Sequence, residues 1–328
     1  MKALIVDTSS EKPVMKLDDH PKPTPKPNEL LVKIEATALN RADLLQKRGN
    51  YPVPEGASEI LGLEMSGRVE KTGEEVIDFE EGDLLFGLLS GGGYAEYCVI
   101  PEDHAIPMPD SLSFEEAAGI SETFLTAYQG LFWIGEIMEN ETVLIHAGAS
   151  GVGSSAIQLA KNIFNARVIV TAGSSEKLDL CRELGADLAI NYKTEDFAAV
   201  IEEEMGPSTV DVILDFVGAS YWEQNIRVLA MDGRLVLLGL LGGAKADSLN
   251  LGDILRKRLT IRGSTLRNRS DEYKALLTEE FFDAAFDLIE SKQIKPVIDS
   301  VFDWKNVEKA HQRMKNNENA GKIILNGM

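Results

Sequence analysis

Two different patterns of hydrophobic and polar residues divide this chain into two parts. In residues 1–120 short apolar runs separated by glycine and proline predict β-strands, for example the runs that begin at Leu30 and Leu84. The four prolines from Pro21 to Pro27 alternate with lysine and threonine, which predicts an extended connection outside any helix or sheet interior. This part of the chain predicts a compact, mostly antiparallel β domain.

From about residue 123 the apolar runs alternate with helical stretches instead. Apolar strands joined by single helices require a parallel sheet covered on both faces, because each crossover must return to the same end of the sheet. The pattern therefore predicts a Rossmann-type, doubly wound α/β domain. Its six predicted strands are residues 142–147, 167–173, 188–191, 210–217, 233–239 and 259–264, and a helix is predicted over residues 220–230 before the fifth strand.

The residues after Ser264 do not extend this alternation. They predict a long amphipathic helix within Asp271–Lys292, a helix around Trp304–Lys315 and a last strand after Gly321. We therefore expect the chain to return to its first domain. The predicted division is residues 1–122 for the first domain, 123–265 for the Rossmann domain and 266–328 for the return.

The composition is that of an ordinary globular protein, and its charge favours a small molecule as the partner. Of the 328 residues 44% are hydrophobic and 26% are charged, and no apolar run reaches the roughly 18 residues of a transmembrane helix. The first residues predict a strand and a turn rather than a signal peptide, so we expect a cytoplasmic protein. The formal net charge of −20 argues against membranes and nucleic acid as partners.

The stretch LIHAGASGVG, residues 144–153, contains parts for two kinds of site. A serine hydrolase would use Ser150 as nucleophile and His146 as base, but its turn needs Gly-x-Ser-x-Gly, and Val152 stands at the second glycine. His146 also precedes the turn on a buried strand, which favours a core histidine. A dinucleotide-binding turn fits better, with Ser150 in place of the middle glycine of Gly-x-Gly-x-x-Gly.

Each position of a dinucleotide-binding turn has its own task. Gly148 makes the sharp turn, Ser150 lets the pyrophosphate approach and adds a hydroxyl, and Gly153 lets the helix pack closely on the sheet. Free N–H groups at the positive end of the helix, including those of Gly151 and Val152, then face the phosphates. We predict that these five residues bind the cofactor.

The end of the second Rossmann strand indicates which dinucleotide binds. A site for NAD carries Asp or Glu about 20 residues past the glycines, whereas this chain has Gly173 and Ser174 there. Gly173 leaves room for a 2′-phosphate, Ser174 can donate to it, and Lys177 can pair with it as a cation. Glu176 is expected to point to solvent. We predict NADPH rather than NADH, and the alternative for Lys177 is a solvated helix residue.

Ordered stretches along the whole chain resemble the medium-chain dehydrogenase/reductase superfamily. More narrowly, they resemble its zinc-independent quinone oxidoreductases, and among these the tumour-suppressor-inducible enzymes of animals. The stretches are ALNRADLLQKRGNYPVP, ILGLEMSG, GGGYAEY, LIHAGASGVGSSAIQLAK, LGADLAINYKTEDF, DVILDFVGASYW and AGKIIL. The resemblance implies that the first domain is a GroES-like substrate domain and that the Rossmann domain binds NADPH.

Zinc-dependent members of this superfamily hold a catalytic metal at three positions, where this chain has Asn40, Leu63 and Glu122. Leucine cannot bind zinc, and one amide with one carboxylate is not a zinc set. The four-cysteine structural zinc lobe is absent as well, and neither Cys98 nor Cys181 belongs to a Cys-x-x-Cys pair. We therefore expect no metal, and no alcohol dehydrogenation that depends on a Lewis acid.

The resemblance implies hydride transfer from nicotinamide C4 to a quinone, whose hydroquinone anion needs little acid catalysis. Asn40 would bond the nicotinamide ribose or the substrate oxygen, and Tyr51 would stack on the quinone or donate a proton. Asp43 is a further catalytic candidate, with a structural role as the alternative. The residues implied to line the cofactor groove are Thr126, Tyr192, Val217, Leu240, Arg267 and Lys322. Tyr192 would stack near the adenosine phosphate, and the alternative is a loop aromatic residue that covers the sheet edge.

Two other functions stay open. A reductase of α,β-unsaturated carbonyl compounds, such as a 2-alkenal or an enone, would use the same hydride but needs a proton donor. A non-catalytic NADPH-binding relative could bind RNA through the basic residues from Arg256 to Arg269, although the overall charge favours a solvated sheet edge there. The adjoining strands offer an edge for pairing, by which the family commonly assembles, so we expect a homodimer or homotetramer.

Overall fold

The computed structural model describes residues 1–9, 13–246 and 249–328. The strands, in chain order, are β1 (Lys2–Asp7), β2 (Val14–Asp19), β3 (Glu29–Ala38), β4 (Glu64–Thr72), β5 (Leu84–Leu88), β6 (Tyr97–Pro101), β7 (Ala105–Pro107), β8 (Thr142–Ile145), β9 (Arg167–Ala172), β10 (Leu188–Asn191), β11 (Val210–Asp215), β12 (Leu229–Leu237), β13 (Thr260–Gly263), β14 (Ile298–Asp303) and β15 (Lys322–Asn326). The helices are α1 (Arg41–Lys47), α2 (Phe114–Ala118), α3 (Ser121–Tyr128), α4 (Gly151–Phe164), α5 (Ser175–Glu183), α6 (Phe197–Met205), α7 (Trp222–Val228), α8 (Leu251–Lys257), α9 (Asp271–Glu290) and α10 (Val307–Lys315). None of the helices in these described ranges is both long and apolar enough to cross a membrane.

The chain divides into two compact units. Unit 1 comprises Met1–Leu125 and Leu266–Met328, and unit 2 comprises Thr126–Thr265.

Unit 1 is built on a mostly antiparallel sheet. The strand order is β14-β15-β3-β4-β5-β7, and β6 also pairs with β3. β1 and β2 form a separate antiparallel pair, and β14 runs parallel to β15. In β3 the side chains of Leu30, Val32 and Ile34 enter the core, while Lys33 between them is exposed. The opposite face is only partly exposed, because Leu31 and Thr37 on the same face as Lys33 are 5% and 0% exposed.

Unit 2 is a parallel sheet with helices between its strands. The strand order is β10-β9-β8-β11-β12-β13, and every neighbouring pair is parallel. Residues 143–145 of β8 and 212–214 of β11 are 0% exposed, as expected for strands covered on both faces. Because the strands run in one direction, their carboxyl ends lie at one edge of the sheet, where ligands bind in this fold. The predicted combination of a Rossmann-type sheet with a mostly antiparallel one is confirmed.

One predicted element boundary in unit 2 was wrong. The helix expected over residues 220–230 ends at Val228, and Leu229 already begins β12, where it pairs with Val210. Leu229 is buried in the same apolar cluster as Ile226 and Val228. Because the residues on both sides of the boundary between α7 and β12 are buried, the apolar pattern of the helix continues into the strand. The predicted helix was therefore too long.

Candidate active site

The turn between β8 and α4 presents backbone donors. Ser150 is the N-cap of α4, and its hydroxyl accepts a hydrogen bond from the N–H of Gly153 at 3.0 Å. The first N–H groups of a helix have no intrahelical acceptor, and the first turn of α4 carries no acidic residue. The positive end of α4 therefore suits an anion such as a pyrophosphate.

Two positions of this turn must be glycine, because neighbouring atoms lie too close to leave room for a side chain. A Cβ on Gly153 would lie 2.3 Å from the carbonyl oxygen of Ala147, and one on Gly148 would lie 2.8 Å from the Cβ of Val170. Either contact would push the turn away from the sheet. The structure thus brings the predicted residues 148 and 150–153 together in one turn whose shape depends on glycine.

We expect Gly153→Ala to weaken binding of a nicotinamide dinucleotide by about tenfold or more, because the added methyl group must displace the Ala147 carbonyl and the turn with it. Isothermal titration with NADPH measures the change. Gly263→Ala is the matched control, because the nearest atom to its added Cβ lies 4.0 Å away. Equal affinities of the two variants would contradict this prediction.

His146 lies fully buried at the strand side of the turn. Its Nδ1 is 3.0 Å from the Thr171 hydroxyl, and its Nε2 is 2.7 Å from the side-chain oxygen of Asn225. Burial lowers the pKa of His146, so the imidazole is neutral and donates from Nε2 to Asn225. Both ring nitrogens are used in the core, so His146 is not available as a base for Ser150.

Beyond β9 the structure groups the residues predicted for the adenosine phosphate. Gly173 follows β9, and Ser174 is the N-cap of α5, with its hydroxyl accepting from the N–H of Lys177. A Cβ on Gly173 would lie 2.8 Å from the hydroxyl of Tyr192 and 3.0 Å from the Cε of Lys193. These five residues therefore lie together at the carboxyl ends of β9 and β10.

Sequence analysis missed Lys193. The signal for it was its position two residues after β10, which pairs in parallel with β9 and so ends beside Gly173. Glu176, by contrast, is exposed. Hydrogen bonds from its own backbone N–H and from the Ser174 hydroxyl hold the pKa of Glu176 below its usual value.

Two more predicted residues lie on the loops that follow β11 and β12. The N–H of Gly242 donates to the carbonyl of Val217 at 2.7 Å, so the two loops are bonded to each other. The Asp215 carboxylate accepts from the N–H of Val217 at 2.6 Å and fixes the first loop to its strand. Leu240, on the second loop, is 54% exposed. Thr126 comes from α3 and is partly buried.

In unit 1 a buried ion pair stands among the predicted substrate-side residues. The Lys322 ammonium donates to Glu64 Oε1 at 2.6 Å, to Asn40 Oδ1 at 2.8 Å and to the Leu39 carbonyl at 2.9 Å. Asn40 Nδ2 donates to the same Glu64 oxygen at 2.8 Å. Lys322 is 3% exposed, and all three donors of its ammonium are used. Contact of Lys322 with a cofactor would require one of these bonds to open.

Glu64 is the second residue that sequence analysis missed. It is 0% exposed, and its other oxygen, Oε2, accepts from the backbone N–H of Glu122 at 2.9 Å. The signal was an acidic residue inside the apolar run LGLEM, since a buried charge needs a partner.

Asp43 is 1% exposed and is surrounded by donors. It accepts from the N–H groups of Asn40 at 2.7 Å and Gly62 at 3.2 Å, and from the Tyr94 hydroxyl at 3.2 Å. The Tyr94 oxygen lies 3.2 Å from Nε2 of His311. Burial raises the pKa of Asp43 to about 6 against the effect of these bonds. This placement fits the structural alternative, in which Asp43 holds the start of α1 and the turn at Gly62.

Tyr51 and Glu122 are partly exposed, unlike this buried network. Arg267 lies beside them, with Cζ 5.4 Å from the centre of the Tyr51 ring, and it donates to the Ser90 carbonyl at 2.9 Å and to Gln46 Oε1 at 2.8 Å. Burial and the charge of Glu122 raise the pKa of Tyr51. Burial and neighbouring carboxylates raise the pKa of Glu122 to about 8. Both side chains are therefore mostly protonated at neutral pH.

The residues that match zinc-ligand positions do not suit a metal. Leu63 is apolar and 1% exposed. Both ends of the Asn40 amide are bonded within the network of Lys322 and Glu64, which leaves the carboxyl of Glu122 as a single ligand. Throughout the described ranges, no group of three or more His, Cys, Asp or Glu side chains is arranged to hold a metal ion.

Two family models match the chain. Residues 26–110 match the alcohol dehydrogenase GroES-like domain, and residues 151–283 match the zinc-binding dehydrogenase family. The synaptic vesicle membrane protein VAT-1 homolog of Danio rerio is 32% identical, over 93% of this chain and 65% of its own length. The quinone oxidoreductase of Sus scrofa is 30% identical, over 95% of this chain and 93% of its own length. This chain thus spans about two thirds of the first relative and nearly all of the second.

Solved structures share the fold over nearly the whole chain. An NAD-dependent alcohol dehydrogenase has a TM-score of 0.88 at 30% identity, with 100% of both chains covered. A mycobacterial protein complexed with NADPH has a TM-score of 0.85 at 28% identity, again with 100% of both chains covered. The CurK enoyl reductase has a TM-score of 0.85 at 27% identity, with 99% of this chain and 98% of that chain covered.

These matches show that the chain belongs to the medium-chain dehydrogenase/reductase superfamily, as the sequence resemblance implied. Within the superfamily it groups with quinone oxidoreductase-like proteins. It is an NAD(P)H-dependent reductase, and unit 1 contains its GroES-like domain.

Proposed function

We propose that this enzyme transfers a hydride from NADPH to a quinone. The observation that supports a quinone is the network of Lys322, Glu64 and Asn40, because it occupies both ends of the Asn40 amide. Asn40 stands at a zinc-ligand position of zinc-dependent relatives, so these residues offer no ligand set for the Lewis acid that those relatives use. Without such an acid an alkoxide would not be stabilised, so the acceptor must stabilise negative charge itself. A quinone does so as the hydroquinone anion.

The two units would have separate tasks in this reaction. Unit 2 would hold the dinucleotide, with the pyrophosphate at the start of α4 and the adenosine phosphate beside Gly173. When bound, the nicotinamide supplies the hydride. In unit 1 Tyr51 would stack on the quinone ring. Asn40, held in place by Lys322, would orient the substrate oxygen or the ribose.

The proposed preference for NADPH over NADH is supported by Lys193, whose Cε lies beside Gly173, and by Lys177, whose N–H donates to the Ser174 hydroxyl. We expect Lys177→Ala to raise the KM for NADPH by about fivefold, as for loss of a partly exposed ion pair worth about 1 kcal/mol. The KM for NADH should barely change, because NADH has no 2′-phosphate. Steady-state kinetics with both cofactors measure the two constants, and Lys305→Ala, at an exposed lysine of unit 1, is the control. An equal effect on both cofactors would refute the assigned role of Lys177.

The activity itself is tested by oxidation of NADPH with an ortho-quinone and with a 2-alkenal side by side. The proposal requires turnover of the quinone. Turnover of neither acceptor would refute it and favour the non-catalytic alternative. A gel-shift titration with RNA at physiological salt then tests that alternative through the basic residues of Arg256–Arg269.

The proposed assembly is a homodimer or homotetramer that pairs through β13. β13 ends the strand order of the unit 2 sheet and is bonded on its other side to β12. An edge strand presents unpaired backbone groups to a second chain. Light scattering should give two or four times the chain mass of 35.9 kDa, and the mass of one chain would refute the proposal.

A further inference from the structure

Glu122, next to the buried network of unit 1, combines three features that neither Asp43 nor Glu64 has. It stands in the first turn of α3, where its backbone N–H is bonded to Glu64. Its side chain is partly exposed, whereas Asp43 and Glu64 are 1% and 0% exposed. Within residues 1–9, 13–246 and 249–328 its carboxyl group makes no hydrogen bond or ion pair. It is thus a partly exposed acid whose carboxyl oxygens are not bonded to the described residues.

The surroundings of Glu122 keep its proton in place. Burial is the largest cause of its raised pKa of about 8, and the carboxylate of Glu64 is the second. Lys322 and Arg267 act in the opposite direction, but Lys322 already neutralises Glu64 through a 2.6 Å bond. The charged and titratable groups that interact with Glu122 are Glu64, Lys322, Asp43, Arg267, Tyr51 and Lys274.

The neighbouring groups Asp43 and Tyr51 are poorer proton donors than Glu122. The Asp43 carboxyl is enclosed by three donors of the protein. Tyr51 has a raised pKa, so its phenol gives up a proton less readily than an ordinary tyrosine. An acid transfers its proton best when its pKa lies near the working pH, and Glu122 meets this condition while being partly exposed.

We infer that Glu122 is the acid that protonates the carbonyl oxygen of the acceptor, and that it thereby enables this site to reduce α,β-unsaturated carbonyl compounds as well as quinones. The inference rests on the proposed hydride transfer. Addition of the hydride to the β-carbon forms a C–H bond and moves the C=C electron pair to the carbonyl, where negative charge collects on oxygen. The O–H bond of Glu122 breaks as its proton forms an O–H bond with that oxygen. The enol then tautomerises to the saturated carbonyl product, and water reprotonates Glu122.

The test compares Glu122→Gln with wild type on the two acceptors. General acid catalysis contributes about 10²–10⁴-fold, so kcat for the 2-alkenal should fall by that factor in the variant. The fall for the ortho-quinone should be about tenfold or less, because the hydroquinone anion needs little acid. Wild-type kcat for the 2-alkenal should decrease above about pH 8 as Glu122 loses its proton, and this decrease should be absent in Glu122→Gln. Glu122→Asp should restore part of the activity, and Glu75→Gln, at an exposed residue of unit 1, should behave as wild type.

A second measurement does not depend on activity. Because the pKa of Glu122 is about 8 in the native state and 4.5 in a model peptide, the native state binds the extra proton between these values. The urea midpoint of wild type should therefore fall more steeply from about pH 5 to about pH 9 than that of Glu122→Gln. Equal slopes would show that Glu122 does not hold this proton and would overturn the inference.

The kinetic outcomes separate this inference from the proposed function. Wild-type turnover of the quinone without turnover of the 2-alkenal would overturn the role of Glu122 and leave the quinone reductase standing. Full 2-alkenal activity in Glu122→Gln would also overturn it. Turnover of neither acceptor by wild type would refute both proposals.

Discussion

Replacement of Lys322 by methionine is expected to lower the free energy of unfolding by about 3–5 kcal/mol, the usual cost of breaking a buried ion pair. Methionine fills similar space but removes the ammonium from Glu64, which is 0% exposed. The Asn40 side-chain oxygen and the Leu39 carbonyl lose their donor as well. Urea unfolding followed by circular dichroism measures the loss.

Lys309→Met is the matched control for this substitution, because Lys309 is exposed on α10. We expect it to change stability by no more than about 0.5 kcal/mol. The double variant Glu64→Gln with Lys322→Met should recover most of the loss, since it buries no unpaired charge. Equal stabilities of Lys322→Met and Lys309→Met would show that Glu64 does not depend on the ammonium.

The second large effect is a loss of about 3 kcal/mol of stability, due to Asp43, as the pH rises from about 4 to about 7. Burial raises the pKa of Asp43 from 3.8 to about 6 in the native state. Between these values the native state binds more protons than the unfolded state, so the free energy of unfolding falls with rising pH. The contribution of Asp43 is complete below a pH of about 4 and is lost as the pH passes about 6.

Urea titrations at several pH values compare wild type with Asp43→Asn. Asparagine cannot ionise. The decrease in the free energy of unfolding between about pH 4 and about pH 7 that is due to Asp43 should therefore disappear in this variant, whatever its absolute stability. Asp110→Asn, at an exposed position, should keep the wild-type slope. If Asp43→Asn also kept the wild-type dependence of stability on pH, the raised pKa of Asp43 could not be the cause of that dependence.

The sheet of unit 2 could be predicted because its strands are short apolar runs, and strands covered on both faces need no polar residues. β14 was missed because its sequence, IDSVFD, contains two aspartates. In the fold the first of them, Asp299, accepts a 2.6 Å hydrogen bond from Nε of Arg313, on α10. A strand can therefore carry this charge, but only because a distant residue pairs with it.

The candidate site shows the same difference between features that are local in the sequence and features that depend on distant residues. The turn at residues 148–153 could be predicted because all its parts lie within one short motif. The network of unit 1 could not, because Lys322 and Glu64 are 258 positions apart in the sequence and only the folded sheet brings them together. Glu122 was noted in the sequence as a residue at a zinc-ligand position. Its role as an acid is inferred from burial and from the neighbouring Glu64, which a single sequence does not reveal.

The central claim, hydride transfer from NADPH to a quinone without zinc, is tested most directly by one rate measurement. The enzyme is mixed with NADPH and an ortho-quinone, with and without a zinc chelator, and the loss of NADPH absorbance is followed together with formation of the hydroquinone. We predict one hydroquinone for each NADPH consumed, at the same rate in both mixtures. No NADPH consumption above the enzyme-free rate, or an activity that the chelator removes and added zinc restores, would contradict the account.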